Sequence, residues 1–197
     1  MFTGIIETIG VIKNITKDQT NIHFELSSDI TSELRIDQSV AHDGVCLTVV
    51  KLTDHTHTVT AIDETLRLTS LVDWKVGKQV NIERCMTANG RFDGHIVQGH
   101  VDTTAQCVSI KDEQGSWLIT FEFTDNQFHK YVVRKGSICV NGTSLTVVSV
   151  EEKSFSIAVI PYTFEHTNFG QLHVGDRVNI EFDIIGKYVE RMLQSRE

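Results

Sequence analysis

The sequence predicts an all-β protein: two tandem copies of one small antiparallel sandwich or barrel, followed by a short C-terminal helix. The first observation is a repeat. Asp43-Gly44-Val45-Cys46-Leu47-Thr48-Val49-Val50 returns 98 positions later as Asn141-Gly142-Thr143-Ser144-Leu145-Thr146-Val147-Val148, with five of the eight residues identical. The same offset carries Val76-Gly77-Lys78-Gln79-Val80-Asn81-Ile82-Glu83 onto Val174-Gly175-Asp176-Arg177-Val178-Asn179-Ile180-Glu181. Near the start the offset is 95 and pairs Gly4-Ile5-Ile6-Glu7-Thr8 with Gly99-His100-Val101-Asp102-Thr103. A period of that length marks a duplicated domain, because solenoid repeats run about 20 to 50 residues. The second observation is alternation of period two with β-branched residues, the pattern of half-buried strands. The third is the pair of turn dipeptides Asp43-Gly44 and Asn141-Gly142 between strand-like runs. Both central residues of a type I′ hairpin turn need positive φ, which Asn, Asp and Gly tolerate.

In chain order, residues 21–26, 56–62 and 79–83 alternate in the first copy, and residues 117–123, 137–140 and 154–160 do so in the second. Many short antiparallel strands at even spacing indicate a sandwich or a barrel. Short helical turns are expected near Asp29 to Leu34, Thr65 to Leu71, Asp125 to Tyr131 and Thr163 to Phe169. The turn-forming stretch Ala88-Asn89-Gly90-Arg91-Phe92-Asp93-Gly94 places the boundary at about residue 95, giving domains 1–95 and 96–184. Beyond them, Ile185, Tyr188, Val189 and Met192 fall at three- and four-residue steps, one apolar stripe on a helix over 185–197. So short a helix is marginal alone in water. It needs either the barrel wall or the same helix of another subunit.

Composition excludes several classes of function. A net charge of −8 over 197 residues is not the basic footprint of a nucleic-acid binder. No apolar run reaches the roughly 18 residues of a membrane span. The start lacks the basic and apolar regions of a secretory signal. Cys46, Cys85, Cys107 and Cys139 form no CxxC pair or tight cluster, which argues against structural zinc and disulfides and for reduced thiols in the cytosol.

Positions that differ between the copies are where chemistry is expected: Cys46 opposite Ser144, Ile5 opposite His100, Glu64 opposite Tyr162 and Asp37 opposite Lys135. Ser39 matches Ser137, and Thr48 matches Thr146. Two similar pockets with unlike polar groups suit two similar ligands in different roles. Each residue also has a plainer reading. Cys46 in an apolar strand serves as a small hydrophobe. Thr48, Thr146 and Ser144 alternate with apolar neighbours as solvent-facing strand residues do. His95 and His100, five apart, point to opposite faces of a strand and make a poor metal pair; a lone histidine is usually structural. Lys135 before Gly136 reads as a solvated turn lysine, and Glu181 with Asp183 as one solvated strand face.

At these residues the chain resembles the α-type riboflavin synthase family. The likeness covers essentially the whole sequence. It runs through Met1-Phe2-Thr3-Gly4-Ile5-Ile6-Glu7, Gly44-Val45-Cys46-Leu47-Thr48-Val49 and Gly94-His95-Ile96-Val97-Gln98-Gly99-His100-Val101-Asp102. It continues through Lys135-Gly136-Ser137, Gly142-Thr143-Ser144-Leu145-Thr146-Val147 and Ile160-Pro161-Tyr162-Thr163. The resemblance implies two similar six-stranded Greek-key barrels and a homotrimer formed through the C-terminal helices. It implies dismutation of two molecules of 6,7-dimethyl-8-ribityllumazine into riboflavin and 5-amino-6-ribitylaminouracil, without metal or cofactor. The active site would form between the first barrel of one subunit and the second barrel of a neighbour, and association with a lumazine synthase is a further implied partnership.

Carried onto matching positions, the first barrel's ligand contacts would be Gly4, Ile5 and Ile6, then Cys46, Leu47 and Thr48, then Thr60, Ala61, Ile62, Asp63, Glu64 and Thr65. Those of the second would be Gly99, His100 and Val101, then Ser144, Leu145 and Thr146, then Ile160, Pro161, Tyr162, Thr163, Phe164 and Glu165. Lys135 would reach in from another chain. His100 would move a proton with the help of Thr146 and Ser144, Cys46 and Ser39 would supply or position the nucleophile, and Asp183 would orient polar neighbours. Two departures from the family pattern stand out. His42-Asp43 replaces a pair usually ending in Asn, and Tyr162 stands where some members carry Glu. The rival readings are a lumazine protein that binds on the same fold without turnover, the flavin barrel of a reductase, and an interaction module. The reductase would need a glycine-rich nucleotide-binding turn that the sequence lacks.

Overall fold

The computed structural model describes residues 1–194. Six strands form the first closed barrel: β1 (Thr8–Asp18), β2 (Asn21–Ser27), β3 (Ser39–His42), β4 (Val45–Leu52), β5 (His57–Ala61) and β6 (Gln79–Arg84). Around the barrel they run β1-β2-β5-β4-β3-β6, every neighbour antiparallel. The second barrel repeats that order with β7 (Thr103–Asp112), β8 (Trp117–Phe123), β9 (Ser137–Val140), β10 (Thr143–Val150), β11 (Ser154–Val159) and β12 (Arg177–Phe182). Closure leaves no edge strand, but within their barrels residues 45–48 of β4 pair only with β3 and residues 143–146 of β10 only with β9. The alternation foreseen over residues 21–26, 79–83, 117–123 and 137–140 is β2, β6, β8 and β9.

Both hairpin dipeptides take the expected conformation. Asp43 and Gly44 have φ of 47° and 78°, and Asn141 and Gly142 have 45° and 81°. The four helical interruptions are present as well. Two α-helices, α1 (Asp63–Leu68) and α2 (Pro161–His166), follow β5 and β11, and 3₁₀ turns occupy Thr31–Glu33, Ser70–Asp73, Asn126–Tyr131 and Asn168–Gln171. The C-terminal helix α3 spans Ile184–Gln194; residues 195–197 of the expected 185–197 helix lie outside the described residues. Lys187 binds Asp102 (2.7 Å) and Lys130 binds Glu190, which ties α3 to the second barrel. Its apolar side remains uncovered in the single chain, with Ile185, Tyr188 and Val189 each more than half exposed.

Each barrel has its own core. Phe24, Leu26, Val40, Val59 and Ile82 fill the first, and Phe121, Phe155, Ile157, Phe169 and Phe182 fill the second. The first core also encloses a polar chain. His42 Nε2 lies 2.9 Å from His57 Nε2, His57 Nδ1 lies 3.3 Å from Thr31 Oγ1, and His42 Nδ1 lies 3.1 Å from Val40 O. Both rings are fully buried, and burial lowers the His42 pKa to about 3 and that of His57 to about 4, so both are neutral. At the same offset the second barrel carries Val140 and Phe155.

The barrels meet around the two hairpin turns in a nearly twofold arrangement. Asn81 Nδ2 donates to Asn141 O, and Asn179 Nδ2 donates to Asp43 O, both at 2.9 Å. Asn81 Oδ1 accepts from Asn168 N–H, and Asn179 Oδ1 from Ser70 N–H, both at 2.7 Å. Asp43 Oδ1 and Asn141 Oδ1 in turn accept the backbone N–H of Asn81 and Asn179, both at 2.8 Å. The turns approach so closely that a Cβ on Gly44 would lie 2.7 Å from Gly142 N.

One position breaks this symmetry. Asp43 is buried where its counterpart Asn141 is an amide, and Asp43 Oδ2 has no hydrogen-bond partner among the described residues. Burial raises its pKa to about 7, against the pull of Lys78 and the hydrogen bonds from Asn81 and Asn168. A raised carboxyl pKa contributes stability that is complete below the unfolded value of 3.8 and is lost as pH rises toward 7. Asp43→Asn is therefore expected to stabilise the fold by about 1–3 kcal/mol above neutrality. That gain should fade as pH falls toward 4, which parallel thermal melts of the two proteins across pH will check.

Candidate active site

The residues that lead into each barrel do not stay with it. Phe2 N–H donates to Val97 O (2.7 Å) and Val97 N–H to Phe2 O (3.1 Å), so the two leading segments pair with each other. From that bridge they cross. Ser144 N–H donates to Gly4 O at 2.7 Å, setting the first leading segment on β10 of the second barrel. Cys46 N–H donates to Gly99 O at 2.9 Å, setting the second on β4 of the first barrel. Val101 packs against the first barrel's core. This corrects the grouping expected from chain order: within one chain Gly4, Ile5 and Ile6 belong with Ser144, and Gly99, His100 and Val101 belong with Cys46.

Two buried carboxylates hold the crossing. Glu83, on β6, accepts from Thr3 N–H (2.7 Å), Thr3 Oγ–H (2.9 Å) and Gly4 N–H (3.0 Å). Glu181, on β12, accepts from the N–H groups of Gln98 (2.7 Å), Gly99 (2.9 Å) and His100 (2.9 Å). Burial raises both pKa values, while the donated hydrogen bonds work in the opposite direction. Glu181 is 2% exposed, so the expected solvated strand face for Glu181 and Asp183 does not exist. Asp183 lies past the end of β12, where its Oδ1 accepts from Ile185 N–H at the start of α3 (3.0 Å).

The first barrel's candidate pocket gathers Cys46, Leu47 and Thr48 of β4 with Gly99, His100 and Val101. Thr60 and Ala61, at the end of β5, sit beyond the Val49–Val59 pair. Thr60 Oγ1 is hydrogen-bonded to His23 Nδ1 (2.8 Å). Ile62 leads into α1, where Asp63 and Glu64 are exposed and paired with Arg67 and Thr65 is half-buried. Leu47 points into the core and Thr48 outward. The Cys46 thiol is hydrogen-bonded to Ser39, and burial raises its pKa above the usual thiol value against that bond, so it is a neutral thiol. His100 is exposed.

The second pocket repeats this plan with other groups. Ser144, half-buried Leu145 and exposed Thr146 lie on β10 beside Gly4, Ile5 and Ile6. Ile160 and Pro161 open α2, Tyr162 is exposed and stacked on His166 (4.0 Å between ring centres), and Thr163 and Phe164 are half-buried. Phe164 stacks on Trp117 at 3.8 Å, so it buttresses the wall, and Glu165 is exposed beside it. Lys135 stands outside both clusters on an exposed turn with φ of 67°, the conformation its counterpart Asp37 adopts at 66°. Sequence reasoning missed His95. Its Nδ1 lies 2.7 Å from Ser144 Oγ, and burial lowers its pKa against the pull of Asp183. The signal for it is its place directly after Gly94, whose lack of a side chain permits a close approach.

Two pockets, each a stretch of barrel strand covered by the other copy's leading segment, define a duplicated small-molecule-binding protein. The family model described as "Lumazine binding domain" matches residues 3–85 and again residues 98–183. The riboflavin synthase of Bacillus subtilis is 41% identical over 98% of this chain and 90% of its own length. That of Actinobacillus pleuropneumoniae is 40% identical over 98% and 90%, and that of Saccharomyces cerevisiae 37% over 98% and 86%. The chain belongs to the riboflavin synthase family. The fold is also that of LumP, whose crystal structure with 6,7-dimethyl-8-(1'-D-ribityl) lumazine gives a TM-score of 0.84 at 22% identity, over 92% of this chain and 98% of that one. Among the described residues no group of three or more His, Cys, Asp or Glu is placed to hold a metal, and no helix is long and apolar enough to cross a membrane.

Gly99 tests the crossing. It has φ of 80°, and a Cβ there would lie 2.5 Å from Cys46 Cβ. Gly99→Ala is expected to lift the leading segment off β4 and weaken lumazine binding in the first barrel by at least about tenfold. Titration of ligand fluorescence on the folded variant, with unchanged binding as the contrary result, will decide it.

Proposed function

We propose that the chain is a riboflavin synthase, a transferase that takes two molecules of 6,7-dimethyl-8-ribityllumazine and returns one riboflavin and one 5-amino-6-ribitylaminouracil. The observation that carries this reading is the pair of pockets with one backbone plan and unlike polar groups: Cys46, Ser39 and His100 in one, Ser144 and His95 in the other, where apolar Ile5 takes the place of His100. A dismutation needs two alike binding sites with unlike tasks. The flat, polar edge of a lumazine fits backbone groups at a strand edge, and hydroxyls such as Thr48 and Thr146 suit its ribityl chain.

In this reading one lumazine gives up a proton from its C7 methyl group, leaving an anion delocalised over the ring. The other accepts a nucleophile at C7, and four carbons pass between them. His100 takes part in the proton transfer because imidazole is the side chain tuned for it near neutrality. Ser144 and Thr146 present hydroxyls to the second lumazine, Cys46 with Ser39 supplies or positions the nucleophile, and Asp183 orients its neighbours. Holding two rings against each other removes much of the entropic barrier to their meeting.

The exposed apolar side of α3 supports a homotrimer assembled through that helix, and exposed Lys135 supports a site completed across subunits. The four cysteines are free thiols, in keeping with a cytoplasmic enzyme. Turnover with the lumazine as sole substrate, with no metal or nucleotide added, is expected to give one riboflavin for every two lumazines consumed. Binding without turnover would leave a lumazine-binding protein instead. Placing glutamate at Ile185 and Val189 is expected to give a monomer that still binds lumazine but turns over at least about a hundredfold more slowly. Light scattering with steady-state kinetics will show this, and full turnover by the monomer would refute the shared site.

A further inference from the structure

His95 has no task in the reaction just described, yet the chain is shaped to bring it to Ser144. Its Nδ1 lies 2.7 Å from Ser144 Oγ, and its backbone N–H donates to Thr3 O at 3.1 Å. Thr3 is itself held by Glu83 through two hydrogen bonds. Gly94 makes the approach sterically feasible: a Cβ there would lie 2.1 Å from Thr3 O, 2.8 Å from Ser144 Cβ and 2.9 Å from Ser144 Oγ. The other ring nitrogen, Nε2, is buried without a hydrogen-bond partner among the described residues. Both ends of the ring are thus withheld from water, and one is aimed at a hydroxyl in the second pocket.

We infer that His95 is a positioning residue for the reaction, acting through Ser144 to set whether that hydroxyl donates to or accepts from the bound lumazine. This rests on the proposed function and assigns a further residue within it. A neutral ring can accept the Ser144 proton at Nδ1, which leaves the Ser144 lone pairs facing the ligand. A protonated ring must donate at Nδ1, which turns the Ser144 proton toward the ligand instead. Protonation of His95 therefore reverses the polarity of the hydroxyl. The charged group that bears on the ring is Asp183 beyond β12; Glu83 is engaged with Thr3 and Gly4, and Asp93 on the same loop is paired with Arg91. Asp183 draws the pKa up, but burial outweighs it and keeps the ring neutral near pH 7. The first pocket works differently, since Cys46, the counterpart of Ser144, is bonded to the Ser39 hydroxyl, which has no such switch.

The test is a double-mutant cycle in the full chain with 6,7-dimethyl-8-ribityllumazine, using His95→Ala, Ser144→Ala and both together, with kcat and KM followed from about pH 5.5 to about pH 8.5. Each single change is expected to lower kcat about tenfold, with little further loss in the double variant. His95→Asn, whose amide can still reach Ser144, should restore most of the turnover at neutral pH while losing the acid limb of the wild-type profile. Additive losses, or an acid limb unchanged in His95→Ala, would overturn the inference. A second readout needs no turnover: the His95 ring-nitrogen resonances of the folded protein should shift in Ser144→Ala, and a ring that ignores that change would also overturn it. Wild-type protein that binds lumazine without converting it would refute the proposed function, while the resonance experiment would still report on the His95–Ser144 contact.

Discussion

Everything functional in this chain hangs on two buried carboxylates. Glu83 and Glu181 each gather three donors from a leading segment and so anchor it at the point where it leaves its own copy for the other barrel. Burying a carboxylate is expensive, and a single neutral partner would not offset it. Three donors can, because hydrogen bonds to a charged group are stronger than neutral ones. The local consequence is a tight bend at Gly4 and Gly99, both at positive φ. The global consequence is that each pocket is closed by a segment encoded in the other copy. The twofold amide network around Asp43 and Asn141 then fixes the distance the segments must span.

Much of this was legible in the sequence, and the legible parts are local. Period-two alternation marked the strands because a side chain's face depends only on its own position in the pleat. Asp43-Gly44 and Asn141-Gly142 marked the hairpins because positive φ is a property of two residues. The apolar stripe of α3 was visible for the same reason. Crossing of the leading segments was not legible. The repeat aligns Gly4 with Gly99 but carries no information about which barrel either one touches, so order along the chain assigned them wrongly. Glu181 was misread by the same logic that read the strands: alternation says which residues share a face, but the face of Glu181 is covered by a distant segment. Asp183 was counted as strand although the chain had already turned into α3. Of the buried pair His42 and His57, the burial of His57 was legible, since alternation puts it on the face of Val59 and Ala61, but its contact with His42 was not, because that pairing is not encoded nearby.

The crossing also changes which differences between the copies belong together. Read in chain order, His100 sits with Ser144 and Ile5 with Cys46's barrel. In space His100 joins the Cys46 pocket, and Ile5 joins the Ser144 pocket, where His95 supplies an imidazole from the linker instead. Each pocket thus has a histidine beside its Cys46 or Ser144, but reached by a different route and in a different state. His100 is exposed beside a thiol; His95 is screened from water and bound to a hydroxyl. A reaction between two copies of one molecule poses a problem of equivalence, since identical sites would treat both alike. Duplication supplies two cradles of nearly equal geometry, which is what proximity requires. The roles must then come from substitutions that leave the backbone plan untouched, and Cys46 for Ser144 and Asp37 for Lys135 are of that kind. His95 goes further, because it acts on one pocket without a counterpart substitution in the strand it serves.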